Sequence, residues 1–147
     1  MPLSSHQAHT VIDGAESKAR EIALPVVIAV LDAGAHLKAL RRMDGAVPAS
    51  IDIALRKART AVLFEANSED IWEYCKSGAP APGLELTNDG LAPFGGGIPL
   101  KGRDGQLIGA LGVSGGTVAQ DVEVARAALA TFVAMTRLRG HDPPSRQ

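Results

Sequence analysis

The stretch Val26-Val27-Ile28-Ala29-Val30-Leu31-Asp32-Ala33-Gly34-Ala35-His36-Leu37-Lys38-Ala39-Leu40-Arg41-Arg42-Met43 decides how this chain folds. Its first six residues are all apolar, four of them β-branched, so both faces of the strand they form must be covered. Such a strand belongs in the middle of a sheet, shielded on each side by helices or by another subunit. Asp32 to Ala35 reads as a turn, and His36 to Met43 as a second, more polar strand. With so short a connection the two strands form an antiparallel hairpin.

Upstream, residues 5–23 carry Ala8, Val11, Ile12, Ala15, Ala19, Ile22 and Ala23 at spacings of three and four, the stripe of an amphipathic helix that Pro25 stops. Downstream, Asp44-Gly45 closes the hairpin, and Pro48 to Ser50 opens a second helix reaching about Phe64. Ser68 is placed to cap a short third helix ending near Lys76. Residues 77–97 are loop-like, with room for one more strand around Leu91 to Phe94. Ile98 to Lys101 and Gln106 to Val113 form a hairpin across Gly102-Arg103-Asp104-Gly105. Thr117 and Gln120 make a capping box for a last helix that buries Val118, Val122, Ala125, Leu129 and Phe132. The order α-β-β-α-α-β-β-α predicts one α+β domain over residues 1–136 with a largely antiparallel sheet, followed by a charged, proline-rich tail over 137–147.

Composition bounds the function. The chain has 147 residues, 46% hydrophobic and 21% charged, enough for one well-filled core. A net charge of −1 and only five aromatic residues give neither the field nor the stacking surface that nucleic acid requires. A single cysteine, Cys75, excludes an internal disulfide framework and a cysteine-rich zinc module, and no other spacing of ligand residues suggests a metal. It reads as a half-buried small hydrophobe. Met1 to Thr10 lacks the basic start and apolar run of a secretion signal. The apolar stretch Ala23 to Leu31 has nine residues and contains Pro25, too few to span a bilayer. A cytoplasmic location and no membrane partner are the expectation.

Three features carry chemistry. Ten of the 16 glycines lie between Gly90 and Gly116, in two clusters: Gly95-Gly96-Gly97, and Gly115-Gly116 running into Thr117. The second leads into a helix N-terminus, where free N–H groups could seat a carboxylate or phosphate, although Asp121 in the first turn opposes an anion. Equally, glycines there serve tight turns and close packing. Neither cluster matches a nucleotide fingerprint. On the second helix Lys57 falls on a stripe with Ile53, Thr60 and Phe64 beside the core face. Either it snorkels to water, or it pairs with Asp44 or Asp121, or it meets an anionic ligand at a pocket rim. His6 and His9 lie three apart on the first helix; a solvated role is open to both, and His9 as a metal or haem ligand needs a cavity supplied by a subunit interface.

Taken together, Val30-Leu31-Asp32-Ala33-Gly34-Ala35-His36-Leu37, Arg42-Met43-Asp44-Gly45-Ala46, Lys57-Ala58 with Thr60-Ala61, Phe94-Gly95-Gly96-Gly97-Ile98-Pro99-Leu100 and Gly109 to Asp121 resemble the motifs of the GlcG/HbpS-like, or haem-degrading domain, family. The match runs over roughly residues 8–132 in the right order. Ala35 stands where the family's turn usually has its second glycine. The resemblance implies a profilin-like α/β/α fold and a homo-oligomer. It extends to the C-terminal domain of PduO-type cobalamin adenosyltransferases, some of which bind haem through a histidine on the first helix; His9 inherits that candidacy. The adenosyltransferase domain has no counterpart here.

Three functional expectations follow. In the first, an oligomer holds haem at an interface, His9 ligating iron and Lys57 or the glycine-rich N-terminus meeting the propionates. The second is a cofactor-independent enzyme acting by proton transfer on a small carboxylate-bearing metabolite, an isomerase or lyase. There Lys57 with Asp121 or Asp44 would be acid and base, and Gly95, Gly96, Gly97, Gly115, Gly116 and Thr117 would hold the carboxylate. In the third, the domain is an assembly module without chemistry.

Overall fold

The computed structural model describes residues 2–139. Helix α1 (Ser5–Glu21) is followed by β1 (Val27–Asp32), β2 (Leu37–Arg42), α2 (Ala49–Phe64), a 3-10 turn (Ser68–Ile71) running into the short α3 (Trp72–Cys75), and a second 3-10 turn (Leu84–Leu86). Strands β3 (Gly97–Lys101) and β4 (Leu107–Ser114) and helix α4 (Val118–Arg139) complete it. The four strands pair antiparallel in the order β2-β1-β4-β3. The hairpin reading of residues 26–43 therefore holds, and β1 is central as its two apolar faces require.

The alternation along β1 separates two cores. Val26, Ile28 and Val30 join Leu111 and Val113 of β4 under α1 and α4, with Phe132 of α4 fully enclosed. Val27, Ala29 and Leu31 face the other way, towards Ala54, Ala58 and Ala61 of α2. Each valine, leucine or isoleucine so enclosed contributes about 1.5–3 kcal/mol. The result is an α/β/α sandwich, with α1 and α4 on one face and α2 on the other.

Helix α2 comes unusually near the sheet, and two glycines allow it. Gly97 and Gly112 are cross-strand partners on β3 and β4. A Cβ at Gly112 would collide with the backbone of Ala54 and Ala58, and one at Gly97 with the carbonyl of Lys57. Together they form a trough in which the α2 backbone lies, which puts Lys57 at the end of the sheet beside the start of α4.

Four expectations change on inspection. No strand forms at Leu91–Phe94, which instead runs alongside α2, where the Ala92 N–H bonds Thr60 Oγ1 at 3.0 Å. The α3 region is a 3-10 turn plus one α-turn, and Ser68 does not cap it. Val118 is exposed, whereas Ala125 and Phe132 are buried as expected. The tail expected from Arg137 begins inside α4, and residues 140–147 lie outside the described residues. Thr117 and Gln120 do form the capping box, through Thr117 N–H to Gln120 Oε1 at 2.9 Å and Gln120 N–H to Thr117 Oγ1 at 3.2 Å.

Candidate functional site

Lys57 is among the largest fully buried side chains of the described residues, 1% exposed. It does not snorkel. Its ammonium donates to the Val113 carbonyl and to Asp121 Oδ2, each at 2.9 Å, and lies 5.3 Å from the centre of the Phe94 ring. Asp121 is itself buried, and its Oδ1 accepts the Gly116 N–H at 2.8 Å. Burial pushes the Lys57 pKa below the ordinary lysine value; the hydrogen bond and charge of Asp121, and the charge of Glu69, oppose that shift in part.

The glycine loop before β3 closes over this pair. Ser68 is fully buried; its hydroxyl donates to the Phe94 carbonyl at 2.6 Å and accepts the Gly97 N–H at 2.9 Å, pinning both ends of Phe94–Gly97. Gly96 has φ +127, which strongly favours glycine, and a Cβ there would sit 2.9 Å from Lys57 Nζ. A Cβ at Gly95 would lie 3.8 Å from Glu69 Oε2 and would collide with Val122. Among the described residues, Glu69 Oε2 is buried with no hydrogen-bond partner. Arg56 holds the preceding segment by donating to the Asp89 carbonyl and, at 3.0 Å, to that of Gly90.

The structure thus gathers Lys57, Asp121, Gly95, Gly96 and Gly97 into one place. Asp44 lies elsewhere: it is exposed in the turn after β2 and is not among the partners of Lys57. Gly115 packs against the Pro25–Val26 backbone, and the N–H groups of Gly116 and Thr117 are engaged by Asp121 and Gln120, so the start of α4 is satisfied from within. Glu69 and Ser68 escaped the sequence reading. A serine followed by acidic residues has the signature of a helix start, and only the distant Phe94–Gly97 loop reveals their other use.

His9 sits on the exposed face of α1. Its Nδ1 lies 2.7 Å from the Ser5 carbonyl, which can only accept, so Nδ1 is the donor there and Nε2 is the ring nitrogen left unengaged by that bond. His6 is also exposed. None of the large exposed apolar side chains among the described residues lies on α1. No three histidine, cysteine or acidic side chains converge as a metal cluster among the described residues, and no helix described is long and apolar enough to cross a membrane. Cys75 is buried, and burial together with Glu85 pushes its thiol pKa up, away from the reactive thiolate.

Comparison with known proteins places this geometry in a family. A model described as "Haem degrading protein HbpS-like" matches residues 3–130. An uncharacterised 15.0 kDa protein of the dhaT-dhaS intergenic region of Citrobacter freundii is 43% identical, over 85% of this chain and 88% of its own length. The corrinoid adenosyltransferase PduO of Salmonella typhimurium is 38% identical, over 88% of this chain but only 39% of the larger protein. Among solved structures, the PduOC:heme complex superposes with a TM-score of 0.84 at 37% identity, covering 89% of this chain and 95% of the other.

Proposed function

The chain belongs to the HbpS-like family, and from that premise we propose that it is a haem-binding protein whose site is completed by oligomerisation, in which His9 would ligate the iron. A family relative that superposes over nearly its whole length was crystallised with haem. The observation that carries the assignment to His9 is its ring geometry. A histidine whose Nδ1–H is held by a backbone carbonyl keeps Nε2 for a metal, the arrangement that iron-ligating histidines adopt. The donor therefore fits haem. The exposed face of α1 carries no large apolar side chain, and in this reading a second subunit would supply the apolar walls. Bound haem would bring the redox-active iron, and His9 would be the residue of this chain that holds it. Lys57 and the N–H groups of Gly116 and Thr117 have partners within the protomer, so the reading rests on His9 and assigns no propionate ligand. Titrating hemin into the purified protein tests it. A saturable Soret shift that disappears in His9→Ala is expected; an unchanged spectrum in that variant removes His9 from the site.

A second reading, cofactor-independent proton transfer, is favoured by the buried Lys57–Asp121 pair. An ammonium whose pKa is lowered by burial is easier to deprotonate, and Asp121 is the carboxylate placed to exchange that proton. Lys57→Met should end depletion of any metabolite consumed from a mixed panel while leaving the oligomer assembled. Retained consumption would exclude Lys57 as the acid or base.

A further inference from the structure

A cavity of about 390 Å³ opens on the α2 side of the sheet, between α2, the β1–β2 turn and the loop around Asp89. Its volume is within the range of small-molecule sites. It lies across the sheet from α1, and therefore apart from His9, and Lys57 is not one of its lining residues.

The lining is of two kinds. Leu31, Ala35 and Leu55 belong to the apolar cluster beneath α2, and Leu37 stands 57% exposed beside them. The rest is charged. Arg56 is fully engaged: its Nε donates to Asp52 Oδ2 at 2.7 Å, and its Nη1 donates to the carbonyls of Asp89 and Gly90. Arg59 and Asp89 line the same cavity, but among the described residues neither side chain has an ion-pair partner. The two opposite charges are held apart, Arg59 by its place on α2 and Asp89 by the grip of Arg56 on its carbonyl.

Backbone strain falls on this lining too. Five non-glycine residues among those described have a left-handed φ, and two of them, Ala35 at φ 64 and Asp89 at φ 59, line the cavity. Aspartate tolerates that region, whereas alanine is strained there and glycine would not be. What Ala35 adds over glycine is one methyl group on the apolar wall. Strained residues that persist in this way gather at ligand sites.

Charge selects the occupant. With Arg56 matched by Asp52, one positive and one negative group remain. A simple carboxylate would answer Arg59 but set a second negative charge beside Asp89, and a simple amine would reverse the problem. A zwitterion answers both without changing the net charge. Water would solvate the two charges, but it gains nothing from the apolar wall. We propose that this cavity binds a small aliphatic α-amino acid, with Arg59 holding the carboxylate, Asp89 the ammonium, and Ala35, Leu37 and Leu55 the side chain. The site requires neither haem nor proton transfer at Lys57.

Three probes that share a side chain test it: L-leucine, 4-methylpentanoate, which lacks the ammonium, and 3-methylbutylammonium, which lacks the carboxylate. Each is titrated into the intact protein while the backbone amides of Ala35, Leu37 and Arg59 are followed by NMR. L-Leucine should give saturable shifts and bind at least about tenfold more tightly than either single-charge probe. Arg59→Met and Asp89→Asn, which leave the backbone contacts of Arg56 in place, should each weaken L-leucine at least about tenfold. Ala35→Gly should bind about fourfold more weakly through loss of one methyl contact, while its Tm rises as the left-handed strain is relieved. A merely structural role for Ala35 would move the Tm alone. Absence of a saturable shift with L-leucine, a single-charge probe that binds as tightly, or undiminished binding in any of the three variants would each overturn the proposal. None of these outcomes bears on the hemin titration, which reads a different residue.

Discussion

His9 and Lys57 sit in opposite surroundings, and the contrast separates two kinds of site. His9 stands on a solvated helix face with one ring nitrogen committed and the other open. Among the described residues nothing encloses it, and in the proposed reading a second subunit would complete its site. Lys57 is complete within one chain: α2 brings it, the Gly97/Gly112 trough sets its depth, and the first turn of α4 supplies its counter-charge. One site is permissive to the fold and the other is part of it. Substitutions should therefore move stability at Lys57 and binding at His9.

The sharpest break of that contrast is Asp121→Ala. It leaves a buried ammonium with only a carbonyl partner, and a loss of about 3–5 kcal/mol is expected in urea unfolding. The double variant Lys57→Met/Asp121→Leu removes both charges and should recover most of that loss. If Asp121→Ala costs no more than a surface change, the pair is not the buried element described here.

Glu69→Met is expected to act in the reverse direction. Replacing a carboxylate oxygen that has no partner should raise stability by about 1 kcal/mol, seen as a higher Tm. A fall in Tm would mean that Glu69 is structurally satisfied after all.

Alkaline titration gives a third handle. The folded-state pKa of Lys57 lies below its unfolded value, so between that lowered pKa and about 10.4 the unfolded chain binds more protons than the folded one. Stability should accordingly rise with pH across that window relative to Lys57→Met, which has no such group. A parallel pH dependence of the two proteins would show the ammonium to be less desolvated than its geometry implies. The smallest effect on stability belongs to His9→Ala, within about 0.5 kcal/mol by thermal unfolding, as for other exposed positions free of caps and networks.

The contrast also explains what could be read from the residues alone. Elements whose signal is local were legible. The doubly apolar β1, the stripe of α1, the stop at Pro25 and the Thr117–Gln120 capping box all lie within a few neighbours of the residues that reveal them. The odd stripe of Lys57 marked it, and Asp121 was one of two partners considered. What chose between Asp121 and Asp44 is the packing of α2 against β3 and β4, which brings together residues 64 apart. Ser68 and Glu69 were hidden for the same reason: their partner loop is distant, and a helix start was the simpler local account. The glycines at Gly115–Thr117 suggested an anion seat because free N–H groups were assumed, while the structure turns the chain's own Asp121 and Gln120 onto them. Ala35 shows that a family glycine can be replaced at a left-handed turn, here at φ 64 with Asp32 bonded to the Gly34 and His36 N–H groups.

The proposal that haem is held through Nε2 of His9 is tested most directly by chemical rescue. His9→Gly should fold and lose the Soret shift with hemin, and added imidazole should restore it by taking the place of the deleted side chain. Soret binding by His9→Gly that matches the unaltered protein without imidazole would contradict the claim.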